Sequence, residues 1–269
     1  MEVTVAVVCS TDLRLADCLD SIPGNVSAVV VLNFPSRATI AIAARRPNTL
    51  VLRCDERNLG KLRQLAVEQA GTEGILFLDS DCILEPRTVE IVRAELDMAD
   101  AVTVPMRYAS TGYLSGLIAR CRSYTTPEAG FFVPTAFRVA VGDRIGGYIY
   151  DARLEWGEDT EPLPRLQAAG ADVAVSEGIV WHRPLSPLED MRSVRSLGRG
   201  RRIRERAGLE SPRRVRDDLR VWHELRLSAA CVRSSGVSAG LYHLVGWRPM
   251  YKIGYWAERF RERKWCRSN

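Results

Sequence analysis

Several features are scarce in this 269-residue chain, and each scarcity excludes something. No two cysteines form a CxxC pair; Cys9, Cys18, Cys54, Cys82, Cys121, Cys231 and Cys266 are scattered singly. That argues against a zinc ribbon and a thioredoxin-like dithiol, and an odd, unclustered set fits a reducing compartment. Apolar runs such as Val29–Leu32 fall far short of the ~18–20 residues of a membrane-crossing helix. The chain does not open on a basic segment followed by an apolar one, so no secretory signal is read there. The expectation is a soluble, cytoplasmic protein without internal repeats. Lysine is scarce too: Lys61, Lys252 and Lys264 are the only three among 38 cations, a bias of a GC-rich genome that says little about mechanism.

What is present is the balance of an ordinary globular chain, 46% hydrophobic and 26% charged, able to bury a core without staples. The charge is unevenly placed. Arg192 to Arg220 holds eleven arginines against Glu205, Glu210, Asp217 and Asp218, a local +7; since the whole chain is +5, everything else sums to −2.

Strand and helix signals alternate. Val3–Val8 is a short, Val-rich run that reads as a buried strand, followed by helical spacing over Leu13–Ile22 and a Pro23-Gly24 turn. Ala28–Leu32 and Thr49–Arg53 predict two more strands, and Leu59–Ala70 a helix closed by Gly71. Gly74–Leu78 is a further buried strand running directly into Asp79-Ser80-Asp81. Pro86 suits the first turn of a helix reaching Met98, before a strand at Ala101–Val104. Residues 108–150 are richer in Gly, Thr and aromatics. Glu161–Ala169 predicts a helix whose Pro162 and Pro164 are tolerated in its first turn. Short extended pieces at Asp172–Val175 and Gly178–Trp181 lead to His182, and beyond Pro187 the pattern is helical. This order predicts an α/β domain, where ligands gather beyond the carboxyl ends of strands.

Three constellations carry chemistry. Asp79 and Asp81, one residue apart at a strand end, can hold a divalent cation that clamps a diphosphate; an aspartate there is equally a turn former or helix cap. Glu158-Asp159 precede a helix, where the dipole favours acids regardless of function, and where a carboxylate can also act as general base. His182 ends a short extended piece, a place for a structural histidine as well as a ligand.

Their order and spacing resemble the family 2 glycosyltransferases, inverting enzymes of the GT-A fold. Four features over residues 3–184 carry the resemblance: Val3–Ile22; Arg57-Asn58-Leu59-Gly60 with its helix; Ile75 to Asp81; and Gly146-Gly147-Tyr148 through Glu158-Asp159-Thr160-Glu161 and Arg165-Leu166 to Gly170 and His182. The resemblance implies a Rossmann-like mixed sheet flanked by helices over 1–187, with a donor half to about 105 and an acceptor half after it. Residues 188–269 then form an Arg-rich, mainly helical extension packed on that core. It implies Mn²⁺ or Mg²⁺ and a UDP-sugar donor, with hexosyl or N-acetylhexosaminyl transfer. Cys9, Ser10 and Asn33 would line the base pocket, and Asn58, Gly60 and Lys61 the nucleoside and diphosphate. Asp79 and Ser80 would meet the donor, Asp81 and His182 the metal, Trp156 and Glu158 the sugar and acceptor, and Asp159 would be the base. Two departures stand out. Asn33 replaces a usual aspartate, and Leu65-Ala66 replaces a diphosphate-contacting arginine unless Arg57, Lys61 or Arg63 substitutes.

The Arg192–Arg220 segment supports rival readings: a solvated helical face, a nucleic-acid footprint, or a dock for an acidic partner such as a membrane surface or carrier protein. Its interleaved acids argue against nucleic acid. A nucleotidyltransferase would share the α/β core, but Cys9-Ser10-Thr11-Asp12 is no Gly-rich, basic phosphate loop. The acceptor expected is a small molecule, a carrier-bound intermediate or a glycan precursor.

Overall fold

The computed structural model describes residues 1–125 and 134–268, the side chains of 263–268 aside. Residues 126–133 of the Gly-, Thr- and aromatic-rich segment, and the side chains of Lys264 and Cys266, lie outside the described residues. In chain order the elements begin β1 (Val3–Cys9), α1 (Leu15–Asp20), β2 (Ala28–Asn33), α2 (Arg37–Ala43), β3 (Thr49–Cys54), α3 (Leu59–Glu68) and β4 (Gly74–Asp79). There follow β5 (Cys82–Leu84), α4 (Thr88–Leu96), β6 (Ala101–Thr103), β7 (Met106–Tyr108), α5 (Tyr113–Thr125), β8 (Thr135–Arg138), α6 (Val141–Arg144) and α7 (Pro162–Ala168). The chain ends with β9 (Val173–Val175), β10 (Val180–His182), α8 (Pro187–Arg206), α9 (Pro212–Asp218), α10 (Val221–Ser235), α11 (Val237–Tyr242), a π-helical turn (His243–Trp247) and α12 (Arg248–Ser268).

The chain divides into two compact units. The first comprises Met1–Arg107, the described part of 127–153, and Glu158–Arg183. Its seven-stranded sheet runs β3-β2-β1-β4-β8-β6-β9. Strands β3, β2, β1 and β4 are mutually parallel, whereas β8 runs against both β4 and β6. The Val- and Leu-rich runs of β1, β2 and β4 are buried along both faces, as central parallel strands must be. Register aligns their carboxyl ends: Val8 pairs with Asp79 and Cys9 with Leu32, so Ser10, Asn33 and Asp79 finish at one edge of the sheet.

A second sheet, β5-β10-β7, follows from an antiparallel pairing in which His182 stands opposite Cys82. Period-based reading found no partner for these strands, because three residues are too few to show a period. The helix expected from Pro86 begins at Thr88 instead. Arg87 takes a left-handed conformation, φ 70°, which stops the helix from extending back to the proline. Helix α2, unread in the sequence, is capped by Ser36, whose hydroxyl accepts from the Thr39 N–H at 3.1 Å.

The second unit joins α5 and Leu154–Gly157 to everything from Pro184 onward. Its membership differs from a simple 188–269 extension, since α5 comes from the middle of the chain. Helix α8 starts at Pro187 under a capping box of Ser186 and Glu189. It crosses α12 at glycines: a Cβ on Gly198 would strike the Tyr251 carbonyl, and one on Gly254 the Arg195 carbonyl. The Arg-rich segment is only in part a solvated face: Arg192, Arg195, Arg206, Arg213, Arg214, Arg216 and Arg220 are exposed, whereas the arginines in the middle of α8 are paired. Arg201 is only 9% exposed and meets Glu210 and Asp218, both at 2.5 Å, while Arg202 meets Glu205 and Glu262 and Arg199 meets Glu155 and Glu258. Interleaving acids with arginines lets the helices of this unit neutralise one another.

Candidate active site

Asp79 is the last residue of β4, and the chain turns through Ser80 and Asp81 straight into β5. The β5–β10 pairing then brings His182 to Asp81, with Nε2 3.3 Å from Oδ2. The imidazole Nδ1 lies 2.7 Å from the carbonyl oxygen of Arg183, which can only accept. Nδ1 therefore carries the proton in the neutral ring, and Nε2 presents a lone pair toward Asp81. The Arg183 backbone N–H donates back to the Asp81 carbonyl at 3.3 Å, tying the two strand ends together. The Arg183 side chain meets Asp17.

Asp81, Cys82 and His182 present ligand atoms within 4.8 Å of one another. Cys82 is wholly buried, and burial pushes its thiol well above the usual range, with Asp79 and Asp81 adding to the effect. Asp81 and His182 are thus the donors suited to a hard divalent cation. Arg14 also faces Asp81 at 3.6 Å while holding Asp12 through its Nε and Nη2.

The second acidic constellation meets the first through Arg63. This side chain lies on the buried face of α3 beside Leu62, Ala66 and Val67, with its guanidinium carbon 5.8 Å from the ring centroids of both Phe77 and Tyr150, which meet each other edge to face. Its Nε is 2.7 Å from Glu158 Oε1, and its Nη2 3.3 Å from Asp79 Oδ1. The Nε–H is close to Glu158 but is not aimed along a hydrogen bond. Desolvation alone would depress the guanidinium; Glu158 first, then Asp79, outweigh it and hold Arg63 charged. Glu158 is 2% exposed, and burial pushes its carboxyl up to about 7 against the pull of Arg63, with Asp159 pushing the same way. One cation among three carboxylates cannot hold them all ionised at low cost. Asp79 keeps 41% of its side chain exposed, so its loss of solvent is partial. That loss still raises its carboxyl, Arg63 opposes it, and Asp81 and Asp159 reinforce it.

The other expected residues are placed as follows. Asp159 is half-buried, and its Oδ1 accepts from the Thr160 N–H at 3.0 Å. Cys9 is buried, with its thiol directed at the Asp12 carbonyl and raised by burial, while Ser10 beside it is exposed. Asn33 ends β2 with its Oδ1 buried and unpartnered. Phe34 follows in a left-handed conformation, φ 45°, with the Arg57 guanidinium 5.5 Å over its ring. Asn58 caps α3, accepting from Lys61 N–H and donating to the Ala152 carbonyl. Gly60 is buried in the first turn, and exposed Lys61 pairs with Glu56 at 3.0 Å. Trp156 belongs to the second unit, under the Arg199 guanidinium. Arg165 holds Glu161 at 2.7 Å and donates to the carbonyls of Ile145, Tyr148 and Ile149, fastening that loop to α7.

Of the three cations considered as a replacement for the missing diphosphate arginine, Arg63 is committed to Asp79 and Glu158. Sequence reasoning missed that hub and the approach of Arg14 to Asp81. A charged residue on the apolar face of α3 was the available signal for the first; nothing local pointed to the second. An open hollow of about 860 Å³, lined by residues such as Gln64, Glu68 and Tyr148, contains none of these acidic groups.

Residues 11–126 match the profile of glycosyl transferase family 2. No curated relative matches the chain by sequence. Among solved structures, S. aureus TarS aligns with TM-score 0.55 at 15% identity, over 96% of this chain and 55% of that one. TarS 1–349 in complex with UDP-GlcNAc aligns with TM-score 0.54 at 14% identity, over 96% and 92%. GalNAc-T7 with UDP, GalNAc and Mn²⁺ aligns with TM-score 0.53 at 13% identity, over 76% and 48%. The chain therefore spans about half the length of TarS and of GalNAc-T7. Residues 11–126 are thus similar to glycosyl transferase family 2, and the sheet shared with these structures gives the chain the GT-A fold.

Proposed function

We propose that the chain transfers a sugar from a UDP-sugar to an acceptor hydroxyl or amine, with inversion at the anomeric carbon. The observation that carries this reading is the meeting of Asp81 and His182 at 3.3 Å, beside Asp79 at the carboxyl end of a parallel strand. The UDP and UDP-GlcNAc bound in the similar structures support the donor class, and N-acetylhexosaminyl or hexosyl transfer is the expected chemistry. Asp81 and His182 would hold Mn²⁺ or Mg²⁺, which when bound supplies charge neutralisation for a departing diphosphate.

The chain's own residues divide the remaining work. Asn33 turns its unpartnered Oδ1 to the N–H of a uracil edge, and Phe34 offers a flat face beside it. Ser10 and Ser80 line the nucleoside side. Asn58 and Gly60 set the start of α3, and Lys61 gives a cation to the diphosphate on leaving Glu56. Asp79 orients the donor while Arg63 keeps its carboxylate directed. Glu158 acts on the pocket through Arg63. Asp159 takes the acceptor proton as the acceptor forms its bond to the anomeric carbon and the bond to the diphosphate oxygen breaks. UDP leaves with that electron pair.

Titration of UDP with and without Mn²⁺ or Mg²⁺ tests the reading. The wild-type chain is expected to bind UDP in a metal-dependent way. Asp81→Asn should weaken this by at least the ~10–100-fold that even outer-shell partners of a metal cost. Failure to bind UDP, GDP or dTDP nucleotides with either metal overturns it. Release of pyrophosphate rather than UDP from donor substrates would favour nucleotidyl transfer instead.

A further inference from the structure

The first turns of helix α10 are inverted. Its inner face carries Glu224, 8% exposed, with Ser228 and Cys231, while Trp222 is 83% and Val221 62% exposed and Leu225 joins them outside. Glu224 is held by Lys252 Nζ at 2.8 Å and Arg248 at 3.5 Å. A surface helix in water turns its apolar stripe to the core. Here, at the start of the helix, Glu224 is turned inward and Val221, Trp222 and Leu225 are presented outward, the mark of a face that meets another surface.

The charge around this face is mostly of one sign. Arg213, Arg214 and Arg216 on α9, Arg220 at the junction, and Arg226 on α10 are all exposed. The acids of the same stretch are mostly withdrawn: Asp218 turns to Arg201 at 2.5 Å, and Glu224 is buried. Asp217, 3.4 Å from Arg220, is the one exposed acid between residues 213 and 226. The sequence interleaves acids with arginines, and folding withdraws two of the three acids while leaving the arginines exposed.

We propose that α9 and the first half of α10 dock on an anionic lipid surface. Trp222, Val221 and Leu225 enter the headgroup layer while the flanking arginines meet lipid phosphates. A second copy of the chain fits this face poorly, because a two-fold interface would set the arginine cluster against itself. No helix among the described residues is long and apolar enough to cross a membrane, and docking of this kind needs none.

The test is co-sedimentation of the full chain with vesicles of phosphatidylcholine alone or mixed with phosphatidylglycerol, at low and high salt. The readout does not depend on sugar transfer. Binding is expected only to the anionic vesicles and should weaken steeply with salt. Trp222→Ser should weaken it about tenfold, and the pair Arg213→Ser with Arg214→Ser about 25-fold, at roughly fivefold per arginine. All three positions are exposed, so UDP binding and the thermal melt serve as controls that the fold is kept. Absence of vesicle binding, binding indifferent to these substitutions, or equal binding to neutral vesicles overturns the proposal. So does tighter binding to single-stranded RNA that the arginine pair abolishes, or a dimer in sedimentation velocity that Trp222→Ser dissociates.

Discussion

Arg63 shows how one side chain can couple two stretches of sequence that lie far apart. Held over Phe77 and Tyr150, it reaches Glu158 at 2.7 Å and Asp79 at 3.3 Å, so the acids of two motifs depend on a single cation. Arg63→Met would leave Glu158 buried without its counter-charge, and the expected loss is about 3–5 kcal/mol in urea unfolding at neutral pH. Glu158 also makes stability depend on pH. Its carboxyl is raised in the folded chain to about 7, above the value in an unfolded chain, so the folded state holds this proton more tightly. The contribution is fully present below the unfolded value of about 4.5 and is lost as pH rises through 7. Glu158→Gln should remove that segment of the pH profile, and a wild-type and variant difference that stays flat between pH 4.5 and 7.5 would contradict the assignment. Asp159 is tested by a separate quantity. Asp159→Asn is expected to lower kcat by about 10²–10⁴ while leaving UDP binding nearly unchanged; equal losses in both would remove it from the role of base.

Among the elements, the short antiparallel pair β5 and β10 decides the most. Three residues in each strand set His182 opposite Cys82 and hence beside Asp81. The Gly178–Trp181 run was legible as extended, but its partner was not, because pairing across nearly a hundred residues leaves no local trace. Helices at Leu59, Pro162 and Pro187 were legible because capping residues, prolines and spacing act within one or two turns. The start of α4 was misread, since the left-handed Arg87 has no signature in residue type. In the second unit, α8 and α12 approach through glycines. Gly198→Ala or Gly254→Ala puts a methyl group against a carbonyl of the facing helix, at an expected cost of about 3 kcal/mol or more by thermal or urea unfolding.

Over the whole molecule, charge is managed by folding more than by composition. The +7 of Arg192–Arg220 suggests a basic surface, yet Arg199, Arg201 and Arg202 are spent on acids of the same unit. Arg202→Ala should therefore lower stability, by about 1–2 kcal/mol for a largely buried set of charge-assisted bonds. It should not change binding to anionic vesicles, and a change there would mean that Arg202 belongs to the outer face.

The alternation of strands and helices, the Asp-Ser-Asp turn at a strand end and the helical tail were determined by the sequence alone. Each rests on residues within a few positions of one another, where β-branching, helical spacing, proline and capping act directly. Tertiary structure decided which groups meet. It turned Arg63 from a free cation on a helix into the link between Asp79 and Glu158, brought His182 to Asp81, and placed Asn58 as a cap whose amide is already engaged. It also sorted the arginines of the tail into those that bind their own unit and those that face outward. These outcomes depend on contacts between distant segments, whose energies are set by burial and geometry that no window of sequence contains.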